Sequence, residues 1–390
     1  MLKLPVYLDN NATTPMDPRV LEAMTPYFLQ HFGNAASRNH AYGWEAEEAV
    51  DLARQQVATL VGAEPKEIIF TSGATESDNL ALKGIYEMYA SKGNHIITAN
   101  TEHKAVIDTC KHIEKSGGAV TYLQVREDGL INPEELESAI RPGTILISIM
   151  YANNEIGVIQ PVKEISGIAK KHGILFFTDA TQAVGKIAVD VNKDGIDLMA
   201  FSAHKIYGPK GVGALYVRRK NPRVKVIAQI DGGGHERSMR SGTLNVPGIV
   251  GFGKACELCM LDMAKDTAYI RKLRDKLETE LLKLGETYVN GSIEHRLPHV
   301  SNMSFKFVES EGLMIELNKN IAVSSGSACT SATLEPSYVL KALGVGDDLA
   351  HSSIRFGLGR FTTGEEIDYA IEQVRSTVMK LREMSHLLGH

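Results

Sequence analysis

The sequence predicts an α/β protein built on a mainly parallel sheet, followed by a smaller α+β region after about residue 245. Seven short apolar, β-branched runs lie between residues 67 and 217, and helix-like segments separate most of them. Several of these runs are apolar throughout, as strands buried on both faces of a sheet should be. After residue 245 the pattern changes to a long charged helix with an apolar stripe, shorter strands and a final helix.

Local signals place the individual elements. Asp17 and Pro18 should begin a helix that reaches about His31, because Asp is a common N-cap and Pro suits the first helical turn. A second helix should run from about Tyr42 to Val61 and end at Gly62. The strands of the sheet are expected at 67–70, 95–98, 120–123, 144–150, 174–179, 198–202 and 213–217, and the intervening helices at 76–91, 103–116, 133–140 and 161–172. The second region should contain a helix over 247–285, strands at 302–307, 321–324 and 353–358, and a helix over about 364–384.

Composition narrows the class of protein. The 390-residue chain has a formal net charge of −5, which gives no reason to expect nucleic acid or an anionic membrane as a partner. No apolar run reaches the roughly 20 residues that span a bilayer, and the first residues lack the apolar core of a signal peptide, so we expect a cytoplasmic protein. Four cysteines are too few for a disulfide scaffold. Cys256 and Cys259 form a C-x-x-C in a helical pattern, which we interpret as helix packing.

Two polar motifs follow predicted strands. Ser72-Gly73-Ala74-Thr75 comes directly after the run EIIFT, and such a turn into a helix presents free N–H groups to an anion such as phosphate. An ordinary helix N-cap explains the same residues. Asp179 ends the run ILFFTD, where ligands bind in α/β sheets. It could protonate the ring nitrogen of pyridoxal phosphate or merely cap the next helix, and both interpretations stay open.

Two further residues fit an aldehyde cofactor. Lys205 follows the strand DLMAFS in a Gly/Pro-rich loop, where a lysine can form a Schiff base, and Ser202 and His204 beside it can bind phosphate. Lys205 lies 26 residues after Asp179, the length of one strand–crossover–strand unit, so both should reach the same edge of the sheet. His103 also follows a strand and can stack on a flat ring and move protons near neutral pH, although a capping role is the alternative.

Cys329 differs from the other three cysteines in its sequence context. Cys329 lies in Ser-Ser-Gly-Ser-Ala-Cys-Thr-Ser (324–331), a small, polar, Gly-containing stretch that predicts an exposed loop. An exposed thiolate can act as a nucleophile. An incidental surface cysteine is the alternative hypothesis.

Taken together, these segments resemble the cysteine desulfurases over essentially the whole chain. The motifs that carry the resemblance are LDNNATTP (8–15), FTSGATES (70–77), TEHKAV (101–106), NNEIG (153–157), DATQAVGK (179–186), FSAHKIYGPKGVGALY (201–216), RSGTLN (240–245), SSGSACTS (324–331) and IRFGLGRF (354–361). The likeness is closest to the housekeeping iron–sulfur-cluster branch. It implies a fold like that of aspartate aminotransferase, the type I fold of pyridoxal-phosphate-dependent transferases, in a homodimer. A large seven-stranded α/β domain would cover 16–250, and a small α+β domain would combine 1–15 and 251–390.

The resemblance also implies how the cofactor is held. Lys205 would carry pyridoxal phosphate covalently, and Asp179 would pair with the pyridine nitrogen. Gln182 would contact the ring hydroxyl, and His103 would stack on the ring and act as acid and base. The phosphate ligands would be Ala74, Thr75, Ser202 and His204, with Thr243 reaching the phosphate from the other subunit.

For the substrate, the resemblance implies that Asn154 and Arg355 bind the carboxylate of L-cysteine. Asn154 would also contact the cofactor. Cys329 would attack the substrate sulfur, leaving L-alanine and a Cys329 persulfide. The sulfur would pass to an iron–sulfur scaffold protein or another acceptor. No resident metal is implied, with Cys329 a candidate transient ligand of an iron–sulfur cluster. Selenocysteine lyase or another reaction of the same class is the alternative function, and a non-catalytic binding protein would be expected to lack Lys205 or Asp179.

Overall fold

The computed structural model describes residues 2–308, 310–325 and 336–387. The strands in this part of the chain are β1 (Val6–Tyr7), β2 (Ile68–Thr71), β3 (His95–Ala99), β4 (Ala119–Leu123), β5 (Thr144–Ser148), β6 (Leu175–Asp179), β7 (Leu198–Ser202), β8 (Gly213–Val217), β9 (Thr287–Val289), β10 (Val300–Phe305), β11 (Ile321–Ala322), β12 (Ser324–Ser325) and β13 (Ser353–Gly357). The helices are α1 (Pro18–Met24), α2 (Pro26–Leu29), α3 (Ala41–Leu60), α4 (Ala74–Met88), α5 (Lys104–Lys115), α6 (Pro133–Ser138), α7 (Val162–Lys171), α8 (His235–Ser238), α9 (Val246–Leu282), α10 (Ser310–Leu317), α11 (Tyr338–Ala342), α12 (Asp347–His351) and α13 (Gly364–Leu387).

A seven-stranded sheet forms the centre of the fold. Its strand order is β2-β8-β7-β6-β5-β3-β4, and β3 to β7 all run parallel to their neighbours within this group. β8 runs antiparallel to both β2 and β7. The α/β class and the mainly parallel sheet are therefore confirmed, and each of the seven strands overlaps a predicted run. Because β3, β5, β6 and β7 are parallel, their carboxyl ends meet at one edge of the sheet.

Hydrophobic residues cover both faces of this sheet, as expected for strands that are apolar throughout. One buried cluster joins α3 and the first half of α9 to alternate residues of the strands, such as Ile147 and Phe176. A second cluster joins α4 and α5 to the opposite face, where Leu146 and Phe177 lie. Neighbouring strand residues thus point to opposite sides, and each side is filled by helices.

A smaller assembly surrounds a four-stranded sheet of order β12-β13-β10-β9 and the parallel pair β1–β11. Its own buried cluster combines these strands with α10, α13 and the second half of α9, which contributes Ile270 and Leu277. The 37-residue helix α9 therefore packs into both parts of the molecule. The domain division near residue 250 stays a prediction.

The first predicted helix is interrupted. Asp17 is its N-cap and accepts a hydrogen bond from the Arg19 N–H, as the sequence indicated. The chain then breaks into α1 and α2 at Thr25, because Pro26 has no N–H to continue the helical hydrogen bonds. Strands β1 and β9 were not predicted, since two or three residues are too short to show an alternating pattern. The strand predicted at 321–324 divides into β11 and the start of β12.

Two other sequence interpretations can be compared with the fold. Cys256 and Cys259 are both buried on α9 in the first cluster, which confirms the packing interpretation of the C-x-x-C. No helix in the described ranges combines the length and apolar character needed to cross a bilayer.

Two helical glycines give a matched test of this packing. A methyl group on Gly253 of α9 would lie 2.6 Å from the Ala53 Cα of α3, whereas one on Gly167 of α7 would meet nothing within 4 Å. Both Gly→Ala changes gain helix propensity, so G167A should raise the free energy of unfolding by about 0.5–1 kcal/mol. G253A should instead lower it by about 1–3 kcal/mol, because α3 and α9 must move apart. Urea unfolding of both variants measures the difference, and equal stabilisation would contradict the close contact.

Candidate active site

A cavity of about 800 Å³ lies at the carboxyl ends of the parallel strands. Of the twelve residues that the sequence and its family resemblance indicate, ten line this cavity: Ala74, Thr75, His103, Asn154, Asp179, Gln182, Ser202, His204, Lys205 and Arg355. Thr243 is exposed and does not belong to the lining. Cys329 lies outside the described residues, but Ser324 and Ser325, just before that gap, line the cavity.

The N-terminus of α4 forms one end of the cavity. Gly73 precedes the helix, and a methyl group placed on it would come 3.9 Å from the Ser202 hydroxyl oxygen. This leaves a small cradle between the helix N-terminus and the end of β7. Unpaired N–H groups and the helix dipole favour an anion there. Gly213 of β8 packs closely against the backbone at Gly73, since a methyl group on Gly213 would lie 2.7 Å from the Gly73 Cα.

The N-terminal segment between β1 and α1 holds the lysine loop. The Lys205 ammonium donates to the backbone carbonyls of Asn11 and Ala12, the latter at 2.8 Å. His204 Nδ1 lies 3.1 Å from the Thr13 hydroxyl. Burial lowers the pKa of His204 to about 4, with the charges of Lys205 and Lys210 adding to the effect. His204 is therefore a neutral imidazole at physiological pH.

Asp179 presents a carboxylate at the end of β6. Its Oδ1 accepts a hydrogen bond of 2.9 Å from the Thr181 N–H. Behind it lie the carboxyl groups of Asp78 and Glu102, both buried. Burial raises the pKa of Asp78 and of Glu102 well above the usual range, and the charge of Asp179 adds to both shifts. Asp179 is the member of this group that lines the cavity.

His103 lies across the cavity as the N-cap of α5. The Ala105 N–H donates to its Nδ1 at 3.2 Å, so a neutral His103 carries its hydrogen on Nε2. Burial lowers the pKa of His103, and the Lys205 charge adds to this while the Asp179 charge opposes it. The side chain thus combines the capping role and a cavity-lining position, which the sequence left as alternatives.

Arg355 reaches the cavity from β13 of the smaller sheet. Its Nη1 donates to the Asn154 carbonyl at 3.1 Å, and its Nη2 forms an ion pair with Asp9 at 2.7 Å. The Asn154 side-chain oxygen and the Arg355 Nε are buried without a hydrogen-bond partner among the described residues. Both residues line the cavity, and a guanidinium suits a carboxylate.

Sequence reasoning gave no role to several cavity residues. Asp9, Asn11 and Thr13 contact Arg355, Lys205 and His204, and the Asn11 carbonyl also accepts from Gln182 Nε2 at 3.1 Å. The available signal was the mainly polar run Asp9–Thr14, which begins two residues after strand β1. Glu155 also lines the cavity; it lies in the motif NNEIG (153–157), but the sequence gave it no role of its own.

The residues present fit a phosphorylated aldehyde cofactor of the pyridoxal type. The cradle at Gly73 would accept the phosphate, and a methyl group would fill it. Lys205 supplies an amine for the aldehyde, and Asp179 supplies a carboxylate for a ring nitrogen. In contrast, no three metal-ligating side chains within residues 2–308, 310–325 and 336–387 group closely enough to hold a metal ion.

Comparison with known proteins agrees with this geometry. The class-V aminotransferase family model matches residues 6–370. The cysteine desulfurase IscS of Anaeromyxobacter sp. (strain K) is 58% identical over 387 residues, covering 99% of this chain and 95% of its own length.

Solved structures extend the comparison. A NifS-like protein superposes with a TM-score of 0.90 at 39% identity, covering 97% of this chain and 100% of its own. The structure described as SspA in complex with cysteine superposes with a TM-score of 0.81 at 36% identity, covering 92% and 100%. The family model matches most of the chain, and a curated relative is 58% identical to it over nearly its whole length. The chain therefore belongs to the class-V aminotransferase family and, within it, to the cysteine desulfurases of the housekeeping iron–sulfur branch.

Proposed function

We propose that this protein removes sulfur from L-cysteine, releasing L-alanine and leaving the sulfur as a persulfide on Cys329. One observation carries the proposal: Lys205, Asp179 and Arg355 converge on one cavity, and Ser325 on its wall lies four residues before Cys329. The relatives named IscS and the relative in complex with cysteine support the same substrate.

Pyridoxal phosphate is the proposed cofactor. Lys205 would hold it covalently through Nζ, Asp179 would pair with its ring nitrogen, and Gln182 would contact its hydroxyl. The cradle formed by Ala74, Thr75, Ser202 and His204 would bind the phosphate. When bound, the cofactor supplies an electron sink for the pair of electrons released at the substrate Cα.

The chain's own residues would handle protons and orientation. Arg355 and Asn154 would bind the substrate carboxylate, which fixes the substrate Cα in front of Lys205. The Lys205 amine, once free of the cofactor, would take the Cα proton. His103 would serve as acid and base, and in its neutral form the hydrogen on Nε2 can donate a hydrogen bond.

The sulfur would leave through Cys329. Four residues of extended chain span at most about 14 Å, so the backbone at Cys329 stays within that distance of Ser325. The Cys329 thiolate would attack the substrate sulfur, forming an S–S bond as the substrate C–S bond breaks. The electron pair of that bond would stay with the three-carbon product, which is protonated to L-alanine. The persulfide would then pass to an iron–sulfur scaffold protein or another sulfur acceptor.

A homodimer is also part of the proposal. Six large apolar or aromatic side chains between residues 21 and 44 are exposed: Leu21, Phe28, Leu29, Phe32, Tyr42 and Trp44. A second copy of the chain would cover such a surface. The exposed Thr243, outside the cavity of its own chain, would reach the phosphate of the partner.

The first test compares two cysteines. Wild-type protein should release sulfide and alanine from L-cysteine in equal amounts when a reductant is present, and C329A should release no sulfide. C110A is the matched control, because burial raises the pKa of that thiol to about 12 and leaves it unreactive. Product assays measure both compounds. Unchanged sulfide release by C329A would refute the nucleophile, and selenocysteine would be the next substrate if wild type released neither product.

The second test compares two lysines that line the cavity. K205A should lose the visible absorbance of the lysine-bound cofactor and all turnover while keeping its thermal unfolding transition. K210A removes the other lysine and should retain the absorbance. Spectra of the purified proteins give the answer, and a yellow, active K205A would show that another amine holds the cofactor.

The third test asks whether Thr243 acts across the dimer. T243A alone should bind the cofactor at least about tenfold more weakly, because a hydrogen bond to a charged group is lost. Co-expressed K205A and T243A chains with different tags would form a heterodimer with one intact site. That heterodimer should bind one cofactor with wild-type affinity. Affinity no better than that of the T243A homodimer would place Thr243 outside the partner's site.

A further inference from the structure

Arg355 has more negative charge around it than one guanidinium can neutralise once a substrate arrives. Asp9 already forms an ion pair with it at 2.7 Å. Glu155, next to Asn154 in the chain, lines the same cavity and is 3% exposed. The carboxylate of an amino-acid ligand would be the third negative group near this arginine. Buried charges that exceed their partners are costly, so one of the three should become neutral.

The Glu155 side chain is held in a defined position. Its Oε2 accepts a hydrogen bond of 2.5 Å from the Ser337 hydroxyl. The same hydroxyl oxygen accepts from the N–H groups of Val339 and Leu340 at the start of α11, at 3.1 and 3.3 Å. Its one hydrogen is therefore committed to Glu155. A proton taken up by Glu155 would consequently go to Oε1, leaving the Ser337 hydrogen bond intact.

The groups that act on Glu155 come from several elements. Ser337 precedes α11, Arg355 comes from β13 and Lys104 comes from α5, where its ammonium lies 4.6 Å from the Tyr338 ring centre. Burial raises the pKa of Glu155 to about 7, while Ser337, Arg355 and Lys104 in that order lower it. Asp9 forms an ion pair with Arg355. That ion pair offsets part of the positive charge of Arg355, which would otherwise lower the pKa of Glu155 further.

We infer that Glu155 takes up a proton when the carboxylate of an amino-acid ligand binds beside Arg355, because two carboxylates would otherwise share this buried part of the cavity. Glu155 is thus a positioning residue that sets how tightly the ligand carboxylate binds beside Arg355. The inference rests on the proposed function, because it takes Arg355 as the group that binds the substrate carboxylate. By reciprocity, a ligand that favours protonated Glu155 must bind more tightly to the protonated form.

The sign of the pH dependence follows. Below about pH 7 Glu155 is protonated with and without ligand, so the Kd is constant. Above this pH the free protein loses the proton and must recover it on binding, so the Kd rises, approaching tenfold per pH unit. The rise ends where the ligand-bound form also loses its proton.

Calorimetry of the holoenzyme with L-alanine tests this. L-Alanine has the substrate's carboxylate and amine but no sulfur, so it binds without desulfuration. Titrations at pH 7.5 in two buffers of different ionisation enthalpy give the number of protons taken up. Wild type should take up more protons than E155Q. The rise in Kd between pH 7 and 8.5 should also be flatter in E155Q, because glutamine mimics the protonated acid at every pH.

Two further variants make the result specific. S337A removes the hydrogen bond that lowers the pKa of Glu155, so the rise in Kd should begin at a higher pH. E76Q is the control, because Glu76 also lines the cavity but is kept charged by its ion pair with Arg240 at 2.7 Å. Proton uptake by E76Q should match that of wild type.

Equal proton uptake and equal pH curves for wild type and E155Q would overturn the inference, as would an S337A curve that is not displaced. Absence of binding by L-alanine and L-cysteine to every holoenzyme would overturn the proposed function and this inference with it.

Discussion

The site depends on one short segment, Asp9 to Thr14, which turns at residues 10–12 and contacts both parts of the molecule. Its Asp9 carboxylate pairs with Arg355 of the smaller sheet, and its Asn11 side chain donates to the Asn154 carbonyl in the loop after β5 at 3.1 Å. The Thr14 hydroxyl and N–H both donate to the His204 carbonyl. The backbone carbonyls of this segment are therefore the fixed acceptors that aim Lys205 into the cavity. Removing the segment would release three parts of the site at once.

The charged and neutral groups differ from one region of the cavity to the next. At the end formed by the N-terminus of α4, His204 is neutral and the helix supplies partial positive charge, which favours an anion there. In the middle, burial raises the pKa of the Asp78 and Glu102 carboxyls well above the usual range, and the charge of Asp179 adds to both shifts. Asp179 is the carboxyl of this group that lines the cavity. The end at Arg355 is different, because this guanidinium forms an ion pair with Asp9.

The sequence predicted the large sheet and most of the cavity because both rest on local signals. Asp179 and Lys205 each follow an apolar strand, and parallel strands bring such ends together. Asp9 and Glu155 could not be assigned in this way. Their partners, Arg355 and Ser337, lie 346 and 182 residues away, and no local pattern reports such contacts. Family resemblance supplied Arg355, but not the acids that surround it.

The cavity is lined by residues from two parts of the molecule, each with its own hydrophobic cluster. Its geometry therefore depends on a rigid connection between these two parts. Lys205 follows β7 of the larger sheet and Arg355 lies on β13 of the smaller one, so the spacing of these two cavity residues depends on how the two sheets are held together. Helix α9, about 55 Å long, packs into both clusters and resists their separation. Arg360 adds ion pairs to Asp17 at 3.2 Å and to Asp266 of α9 at 2.8 Å. Because a displacement of about 1 Å can cost a hundredfold in rate, these distant contacts belong to the catalytic design as much as the cavity does.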